Sequence, residues 1–542
     1  MSAVDAAGNE SLLSTILSVE TLINNPPSAF ISVTSARGEA PLSVIFDGSG
    51  SSDSDGTIKR YAWDFDDGSS GASEAMTSHI FTQAGTYMVR LTVTDDSGAT
   101  DKTSVMITAS EPSTPSNDLG FCEGFYAKDF TLITGKDEQP IPPLAEPAKG
   151  EPFSDPAYGT CIVRATDHEN EPPVGFARHA YSRRQAFNAT TTRFISFSGN
   201  GYWHLYDAQT LAYIKQLNGP GGDAEIQWHP TDPERFYYMG NHGGMQLREY
   251  NISDDTTRVV GDFSGRLPWP TAARVWTKSE GSPSADGRYW GFQVETADFQ
   301  FIGLMVWDLE TDTLVGTWDS ADAGRPDHVS MSPTGDFIVV SWDDWQRGDD
   351  GYGTTVFNRD FSSRLKVHHK SVHSDIALLS NGHDAFVAVD YQTNRGDVFF
   401  VDLQAGMETG KAERIVLFQA YNNGTSSAFH FSGKAFNKPG WVLVSTYGSA
   451  TSEWLHRKVF AVSLDASATI KNLAHHHSGP DGYWTEPQAT VNRNFTHILF
   501  ASNWESGADR DVDDYMIVLP NDVLNSDNEL GTTAVTPGGS QP

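Results

Sequence analysis

The chain has 542 residues, too many for one ordinary hydrophobic core, so two or more domains are expected. Its formal net charge is −33, from 70 acidic and 37 basic residues, a field that repels nucleic acids and anionic membranes, and neither is expected as a partner. Aromatic residues make up 11% of the chain, and glycine (49) and proline (27) are plentiful, which suits a turn-rich β protein. The sequence holds no apolar run of the length that spans a membrane.

The N-terminal residues 1–26 are predicted to form a tether. Their sequence, MSAVDAAGNESLLSTILSVETLI and onward, has no basic region ahead of a long apolar stretch, so a signal peptide is not recognised. We still expect a secreted, extracellular protein from which such a peptide has been removed, because the domains that follow are typical of secreted proteins.

Residues 27–110 carry short alternating strands such as SVIFDG, YAWDF and YMVRLTV between Gly, Asp and Ser turns, which predicts an immunoglobulin-like β-sandwich. The stretch resembles a PKD (polycystic kidney disease) domain. In bacteria the resemblance implies the context of secreted enzymes acting on polysaccharides or proteins. One departure is Asp66, where the family usually has glycine. The matching residues are Asp47-Gly48-Ser49, Asp53, Asp55-Gly56, Trp63-Asp64-Phe65, Asp67-Gly68, His79, Gly85, Tyr87, Leu91-Thr92-Val93 and Asp95.

Residues 111–160 are predicted to be a Ser/Pro linker followed by a Pro-rich segment that leads into the next domain. The chain has two cysteines, Cys122 and Cys161, which flank the entry to that domain. A disulfide between them would tie the lead-in segment to the closing part of the domain, and two buried free thiols are the alternative.

One pattern recurs seven times between Arg178 and Pro520: a polar or His-bearing strand start, a turn, an apolar β run and a second hairpin. Such a period in an all-β chain predicts propeller blades. We therefore predict a seven-bladed β-propeller over residues 161–520, with eight blades as the alternative, and a disordered tail over 521–542. The strand CIVRATD (161–167) would close the ring as an outermost strand. The blades open near Arg183, Gln227, Glu280, His328, Asp375, His430 and Gln488.

Three stretches of this region, DGRYWGF, SPTGDFIVVSW and WTEPQATVNRNFTHILFASNW, resemble WD40-like propellers of the TolB type. They are also distantly similar to oligogalacturonate lyase. That resemblance implies a seven-bladed propeller that cleaves uronate polymers by elimination, with a metal in its channel. The His-Pro-His type of metal segment found late in that family is replaced here by Glu486-Pro487-Gln488.

Residues just before each first strand of a propeller gather at one rim, where ionisable groups mark a candidate site. For β-elimination, a carboxylate must be neutralised, a base must take a proton and an acid must protonate the leaving oxygen. We predict Arg183, Arg184 or a channel metal for the first role, His179 or His373 for the second, and Tyr181 or Tyr391 for the third. Nitrogen and oxygen donors for a divalent Zn, Mn or Ca ion would come from His328, His373, His430, Glu486 and Gln488.

Substrate binding is predicted at acidic and aromatic positions of the same rim, because aromatic faces stack on sugar rings. Blade-to-blade packing is the alternative for each aromatic residue taken alone. No GxSxG, P-loop, HExxH or GxGxxG motif occurs in a plausible context, so no nucleotide cofactor is expected. The predicted binding residues are Glu225, Glu280, Trp345, Tyr447, Trp454, Trp484 and Trp504.

The sequence thus predicts an all-β protein that acts on a polysaccharide, most simply as a monomeric lyase of a uronate-containing polymer. A glycoside hydrolase is the first alternative, since Glu225, Glu280 and Glu486 could supply the two carboxylates that such an enzyme needs. The second alternative is a propeller that binds carbohydrate or a surface without catalysis, because fold does not fix function.

Overall fold

A computed structural model describes residues 6–8, 24–33, 36–40, 42–69, 71–110, 120–141, 143–278, 280–319, 324–342, 353–422, 425–448 and 453–525. Most of the predicted tether and tail, and residues 111–119 of the linker, lie outside these ranges. The chain divides into two compact units, residues 1–116 and residues 117–542. In the part of the chain described, no helix has the length and apolar character needed to cross a membrane.

The first unit is a β-sandwich of two sheets, in which most strands pair in antiparallel orientation. Its core includes Phe46, Trp63, Phe81 and Leu91. Along Gly85–Asp95 the side chains alternate between buried and exposed, as expected for a strand with one face on a core. One sheet contains Ser32–Val33, Leu42–Asp47 and Met76–Phe81, and the other contains Arg37–Glu39, Thr100–Ser110, Gly85–Asp95 and Ile58–Asp64.

The departure at Asp66 is accommodated locally. Asp66 adopts φ 61°, in the left-handed region that favours glycine and that aspartate tolerates better than most residues. Its carboxylate accepts a 3.0 Å hydrogen bond from the Met88 amide. The turn therefore keeps a glycine-like backbone without glycine.

The second unit is a β-propeller. Among the described residues, five four-stranded antiparallel sheets follow one another along the chain between a first and a last blade. These two blades are joined into one nine-stranded sheet by the parallel pairing of Ala177 with Asp513, and the arrangement confirms the predicted propeller architecture. From the channel outward, blade 1 contains Ala177–Arg178, Arg193–Ser198, Tyr202–Asp207 and Tyr213–Gly221. Blade 2 contains Gln227–Trp228, Arg235–Tyr238, Gln246–Asn251 and Thr256–Asp262. Blade 3 contains Arg274–Trp276, Tyr289–Glu295, Phe301–Asp308 and Thr313–Asp319. Blade 4 contains Pro326–Met331, Phe337–Trp342, Gly353–Asn358 and Arg364–His368. Blade 5 contains Ser374–Leu378, Asp384–Asp390, Asp397–Asp402 and Arg414–Gln419. Blade 6 contains Ala428–Ser432, Trp441–Tyr447, Lys458–Ser463 and Ile470–His475.

Blade 7 joins the two ends of the propeller sequence. Its strands Thr490–Val491, His497–Ser502 and Asp513–Val518 come from the C-terminal part, and Cys161–Arg164 supplies the outermost strand. Register pairs Val518 with Cys161 and Tyr515 with Arg164. The ring is therefore closed by the N-terminal strand, as predicted, which removes an open sheet edge.

The predicted disulfide is present. Cys122 and Cys161 are bonded, with their Cα atoms 6.0 Å apart, and so the lead-in segment is fixed to the closing strand. There are three further short strands: Phe153–Ser154 pairs with Cys161–Arg164, and Tyr421–Asn422 pairs with Thr425–Ser426. The α-helix is Leu403–Thr409, and 3-10 turns lie at Gly120–Cys122, Tyr483–Thr485 and Val523–Asn525.

Blade packing explains the apolar runs of the inner strands. Every residue of Phe337–Trp342 and of Asp384–Asp390 is buried, because these strands have a neighbouring blade on each face. The ionisable residues are left to the strand starts and to the loops, and there they meet around the channel.

Candidate functional site

A cavity of about 730 Å³ opens at the end of the channel where the first strands of blades 4 to 6 begin. We call it the central cavity. Its wall includes Asp327, the second residue of the first strand of blade 4, and His373, which directly precedes the first strand of blade 5. It also includes Tyr391, which follows the second strand of blade 5, and Tyr447, the last residue of the second strand of blade 6. Arg183 reaches it from blade 1. Residues far apart in sequence thus share one pocket, as the propeller prediction requires.

Arg183 and Lys370 are cationic residues that line the central cavity, and the side chain of Arg183 is almost fully buried. Its guanidinium Nη1 donates to Glu280 Oε2 at 2.8 Å and lies 2.6 Å from His328 Nε2. Burial opposes the charged form, but the acidic neighbours, with Glu280 first among them, together outweigh it and raise the pKa of Arg183. A permanent positive charge is therefore held at the wall of the cavity.

His328 is kept neutral beside this cation. Burial, followed by repulsion from Arg183, lowers the pKa of His328. Its Nδ1 lies 3.3 Å from Asp327 Oδ2. Burial alone would raise the pKa of Asp327, but the bond from His328 and the nearby cations hold it well below its usual range. The carboxylate of Asp327 is thus ionised.

Glu280, Asp327 and His328 form the only group of three metal-ligating residues found within the described ranges, and their donor atoms all lie within 4.8 Å of one another. Asp327 was not among the predicted residues, although it directly precedes His328 in sequence. Unlike the predicted metal site, this group of donors already contacts a cationic side chain. Arg183 Nη1 already contacts Glu280 and His328, so a cationic group occupies the position between these donors.

His373 lines the central cavity. Its Nδ1–H donates to the Phe429 carbonyl oxygen at 3.0 Å and lies 3.0 Å from the Tyr447 hydroxyl. Burial, followed by repulsion from Arg183, lowers the pKa of His373 to about 4. At neutral pH the ring is therefore uncharged, and with its proton on Nδ1 the Nε2 atom carries a lone pair.

His430 and Glu486 form a second pair next to His373. The rings of His373 and His430 stack with centroids 4.4 Å apart, and His430 Nε2 lies 2.8 Å from Glu486 Oε2. Burial lowers the pKa of His430 well below its ordinary value and raises the pKa of Glu486 to about 7. The contact is thus a hydrogen bond that holds one proton between two largely neutral groups.

Two tyrosines predicted as acids take different positions. Tyr391 lines the central cavity, and its hydroxyl donates to the Ser427 carbonyl oxygen at 3.1 Å. Tyr181 lies edge-on to His430, with ring centroids 5.3 Å apart, and lines a neighbouring cleft. Burial raises the pKa of both hydroxyl groups. Both phenols therefore keep their protons at neutral pH.

Other predicted residues belong to the wall of the ring and not to the central cavity. Both ring nitrogens of His179 lie 2.6 Å from oxygen acceptors, Asp514 Oδ1 and the Gln488 carbonyl, and its side chain is fully buried. The side-chain oxygen of Gln488 accepts a hydrogen bond from Arg178. Arg178 was not predicted, although it directly precedes His179. Both ring nitrogens of His179 are thus engaged inside the wall, and its role as a base stays a prediction.

Arg184 and Glu225 also turn away from the central cavity. Arg184 Nη1 donates to the Ala224 carbonyl oxygen at 3.2 Å, and burial lowers the pKa of Arg184. Glu225 is buried, and its Oε2 accepts the Thr277 amide at 2.9 Å. Arg184 lines the same cleft as Tyr181.

The aromatic predictions divide in the same way. Tyr447 lines the central cavity, and Trp484 lines the cleft beside it while stacking on Phe176 at 4.7 Å. Trp454 and Trp504 are buried in the packing between blades, Trp504 against Tyr515 at 4.7 Å. For these two the packing alternative is the correct one, since neither lines the cavity. Trp345 lies outside the described residues.

At the far end of the channel, a cavity of about 40 Å³ lies between loops that join first and second strands. Arg493 of blade 7 donates across the ring to the Ala285 carbonyl oxygen of blade 3 at 3.1 Å and covers the Phe436 ring. Lys434 Nζ pairs with Asp375 Oδ1 at 3.0 Å, and both side chains are buried. A ligand in the central cavity therefore enters and leaves by one face.

Comparison with known proteins agrees with this architecture. A PKD domain model matches residues 24–109. Collagenase ColA of Clostridium perfringens is 36% identical over 131 residues, which are 23% of this chain and 12% of that protein. The pre-pro-metalloprotease PrtV of Vibrio cholerae is 53% identical over 51 residues, 9% of this chain and 5% of that protein. The chain therefore spans about an eighth or less of the length of these relatives.

Among solved structures, an oligogalacturonate lyase in complex with manganese covers 74% of this chain and 100% of its own, with 14% sequence identity and a TM-score of 0.49. A likeness of this size concerns the fold alone.

Proposed function

We propose that the protein is a secreted lyase that cleaves a uronic-acid-containing polysaccharide by β-elimination in the central cavity. The observation that carries this proposal is the combination found there: a buried guanidinium, Arg183, beside an uncharged histidine, His373, and a protonated phenol, Tyr391. These are the three groups that the elimination needs.

Arg183 would bind the carboxylate of the sugar unit. In a very acidic protein, a cation fixed at the cavity wall supplies the local attraction that an anionic chain requires. Neutralising the carboxylate makes the proton at C5 more acidic, and a buried guanidinium does so in a poorly solvated site. Arg184, the other candidate, is directed at Ala224 instead.

His373 would be the base and Tyr391 the acid. The C5–H bond breaks, its proton goes to His373 Nε2, and the electron pair forms the C4=C5 double bond. The C4–O bond breaks, and the leaving oxygen takes the Tyr391 hydroxyl proton. The Phe429 carbonyl oxygen, which accepts from Nδ1, fixes the tautomer that leaves Nε2 unprotonated.

The predicted divalent metal is not needed for this sequence of steps. The donor set Glu280, Asp327 and His328 has suitable chemistry for such an ion. However, Arg183 lies between two of these donors, so an ion bound there would have to displace the guanidinium. We therefore assign neutralisation of the carboxylate to Arg183 and give the ion no step.

A glycoside hydrolase is the second candidate, and one observation favours it. The pKa of Glu486 is raised to about 7 by burial, which is the property of a general acid in such enzymes. We rank it lower because Glu280, which would be its partner, is ion-paired with Arg183.

Secretion and the nature of the partner follow the same line. The disulfide between Cys122 and Cys161 suits an oxidising, extracellular compartment. The partner proposed is a polysaccharide, and the protein is proposed to act as a monomer.

The test is incubation with pectate, alginate, ulvan and glucuronan, following the ultraviolet absorbance of unsaturated sugar ends and, in parallel, reducing ends. A lyase produces both signals, whereas new reducing ends without absorbance would establish the hydrolase instead. His373→Ala should lower the turnover rate by about 100-fold or more, while the melting temperature stays nearly unchanged. Wild-type levels of product from this variant would refute the assigned base.

A further inference from the structure

A second cavity, of about 410 Å³, lies between blades 6 and 7 beside the central cavity. We call it the flanking cavity. One wall contains Tyr447, the last residue of the second strand of blade 6, and Arg457, which directly precedes the third strand. The other wall is the crossover from blade 6 to blade 7, which includes His476, Tyr483 and Glu486. None of the steps of the elimination uses it.

The two walls are fixed to each other. His476 is buried, and its Nε2–H donates to the Thr446 carbonyl oxygen at 2.9 Å, while its Nδ1 accepts the Ser478 amide at 3.0 Å. Asn503 accepts the Gly479 amide at 2.8 Å. The cavity is therefore a built feature and not a gap between loose loops, and a preformed cavity spares a ligand the cost of ordering it.

The crossover wall also depends on a glycine. A Cβ atom added at Gly482 would lie 2.2 Å from Asp509 Oδ1, so the chain can pass Asp509 only without a side chain at this position. Tyr483 follows directly. The residue is 52% exposed, and it borders both the flanking cavity and the cleft lined by Trp484.

Arg457 gives the flanking cavity its cation. The guanidinium pairs with Glu505, a residue that is more than half exposed at its side chain while that of Arg457 is mostly covered. An exposed carboxylate contributes little to such a pair because water competes for it. A ligand carboxylate entering the cavity can therefore replace Glu505 at the guanidinium.

The flanking cavity adjoins the central one, because Tyr447 and Gly448 line both. A chain that leaves the central cavity past Tyr447 would reach the flanking one next. A polymer with repeated carboxylates would place one at Arg183 and another at Arg457. The exposed Tyr483 ring offers a face on which a sugar ring can stack.

We infer that the flanking cavity is an additional saccharide subsite, which binds a further uronate unit of the same chain through Arg457 and Tyr483. This rests on the proposed function only in that the ligand is a uronate polymer. It implies that the protein grips several sugar units, and so prefers longer chains to disaccharides.

The experiment measures dissociation constants calorimetrically for disaccharides and hexasaccharides prepared from pectate, alginate and glucuronan, with His373→Ala replacing the wild type if the latter turns them over. Arg457→Gln should weaken hexasaccharide binding about tenfold, since it loses a charged hydrogen bond, and leave disaccharide binding within about twofold. Glu505→Gln should act in the opposite direction and tighten hexasaccharide binding, because it removes the competing carboxylate.

Arg359→Gln is the matched control, because Arg359 also faces an exposed acid, Asp336, but lies on the loops at the far end of blade 4. It should change neither constant. If Arg457→Gln does not fold, Tyr483→Ala, a change at an exposed ring, should still weaken the hexasaccharide selectively. Equal losses for both chain lengths, the same sign of effect for Arg457→Gln and Glu505→Gln, or no hexasaccharide binding at all would overturn the subsite. Chain-length-selective binding without unsaturated product would support it while refuting the lyase.

Discussion

The two ends of the propeller channel contain the same kinds of residues in different settings. At one end Arg183, Glu280 and Asp327 line a cavity of about 730 Å³. At the other, Lys434 and Asp375 form a buried pair, and about 40 Å³ is left beside them. Buried charge is thus common to both ends, and free volume next to the charge is what distinguishes a candidate site from a structural ion pair.

The comparison also separates histidines that look alike. Burial lowers the pKa of His373 and of His475 alike, to about 4 and about 3. His373 lines the cavity, whereas His475 is buried under the lead-in segment, where its amide donates to Asp155 Oδ2 at 2.9 Å. A shifted pKa therefore carries functional meaning only where a ligand can reach the group.

The largest expected effect is that of Arg183→Gln. It removes the cation at the open end and should lower kcat/KM by about 1000-fold, the scale of losing one charge-stabilising donor. The same change frees the donors Glu280, Asp327 and His328, so we expect Mn²⁺ binding to appear in the variant by titration calorimetry. Equal Mn²⁺ affinity in the wild type would contradict the view that Arg183 occupies the cation position.

The complementary change at the far end is Lys434→Met. It leaves Asp375 buried without its cation and should lower the free energy of unfolding by about 3–5 kcal/mol. Activity per folded molecule should remain, because this end holds no ligand space. Denaturant unfolding and initial rates check the two statements, and Lys434→Met combined with Asp375→Asn should recover part of the loss. A variant that folds stably but is inactive would erase the distinction between the ends.

Much of this architecture could be predicted from the sequence. The run FIVVSW forms the strand Phe337–Trp342, which is buried along its whole length because a neighbouring blade covers each face. Turn residues bound it on either side. The closing strand Cys161–Arg164 was recognised from its apolar character ahead of the first repeat. The PKD residues could be recognised because their turn aspartates and glycines have fixed spacing.

The site was only partly predictable, because its contacts join residues far apart in sequence. Arg183 and His328 are separated by 145 positions, and no local pattern shows that one contacts the other. His179 and His373 were equivalent in the repeat. In blade 1, however, the first strand is Ala177–Arg178, so His179 follows that strand, while His373 precedes Ser374–Leu378. That shift puts His179 in the wall.

The smallest expected effect sharpens the assignment of the proton between His430 and Glu486. The pKa of Glu486 is raised by burial to about 7, so the folded state keeps a proton that the unfolded chain loses above its ordinary value of 4.5. Stability should therefore fall as pH rises from about 4.5 to about 7, by at most roughly 3 kcal/mol. His430 has the opposite tendency, since its lowered pKa makes stability rise with pH below its ordinary value of 6.5.

Glu486→Gln isolates the glutamate, because the amide can still donate to His430 Nε2 but does not titrate. The contribution of His430 is common to both proteins and cancels in the difference. We expect the variant to match the wild type near pH 5 and to melt a few degrees higher at pH 8, measured by thermal unfolding at both values. A difference that is the same at pH 5 and pH 8 would mean that Glu486 is ionised in the folded protein, and the open end would then hold a charged pair like the closed one.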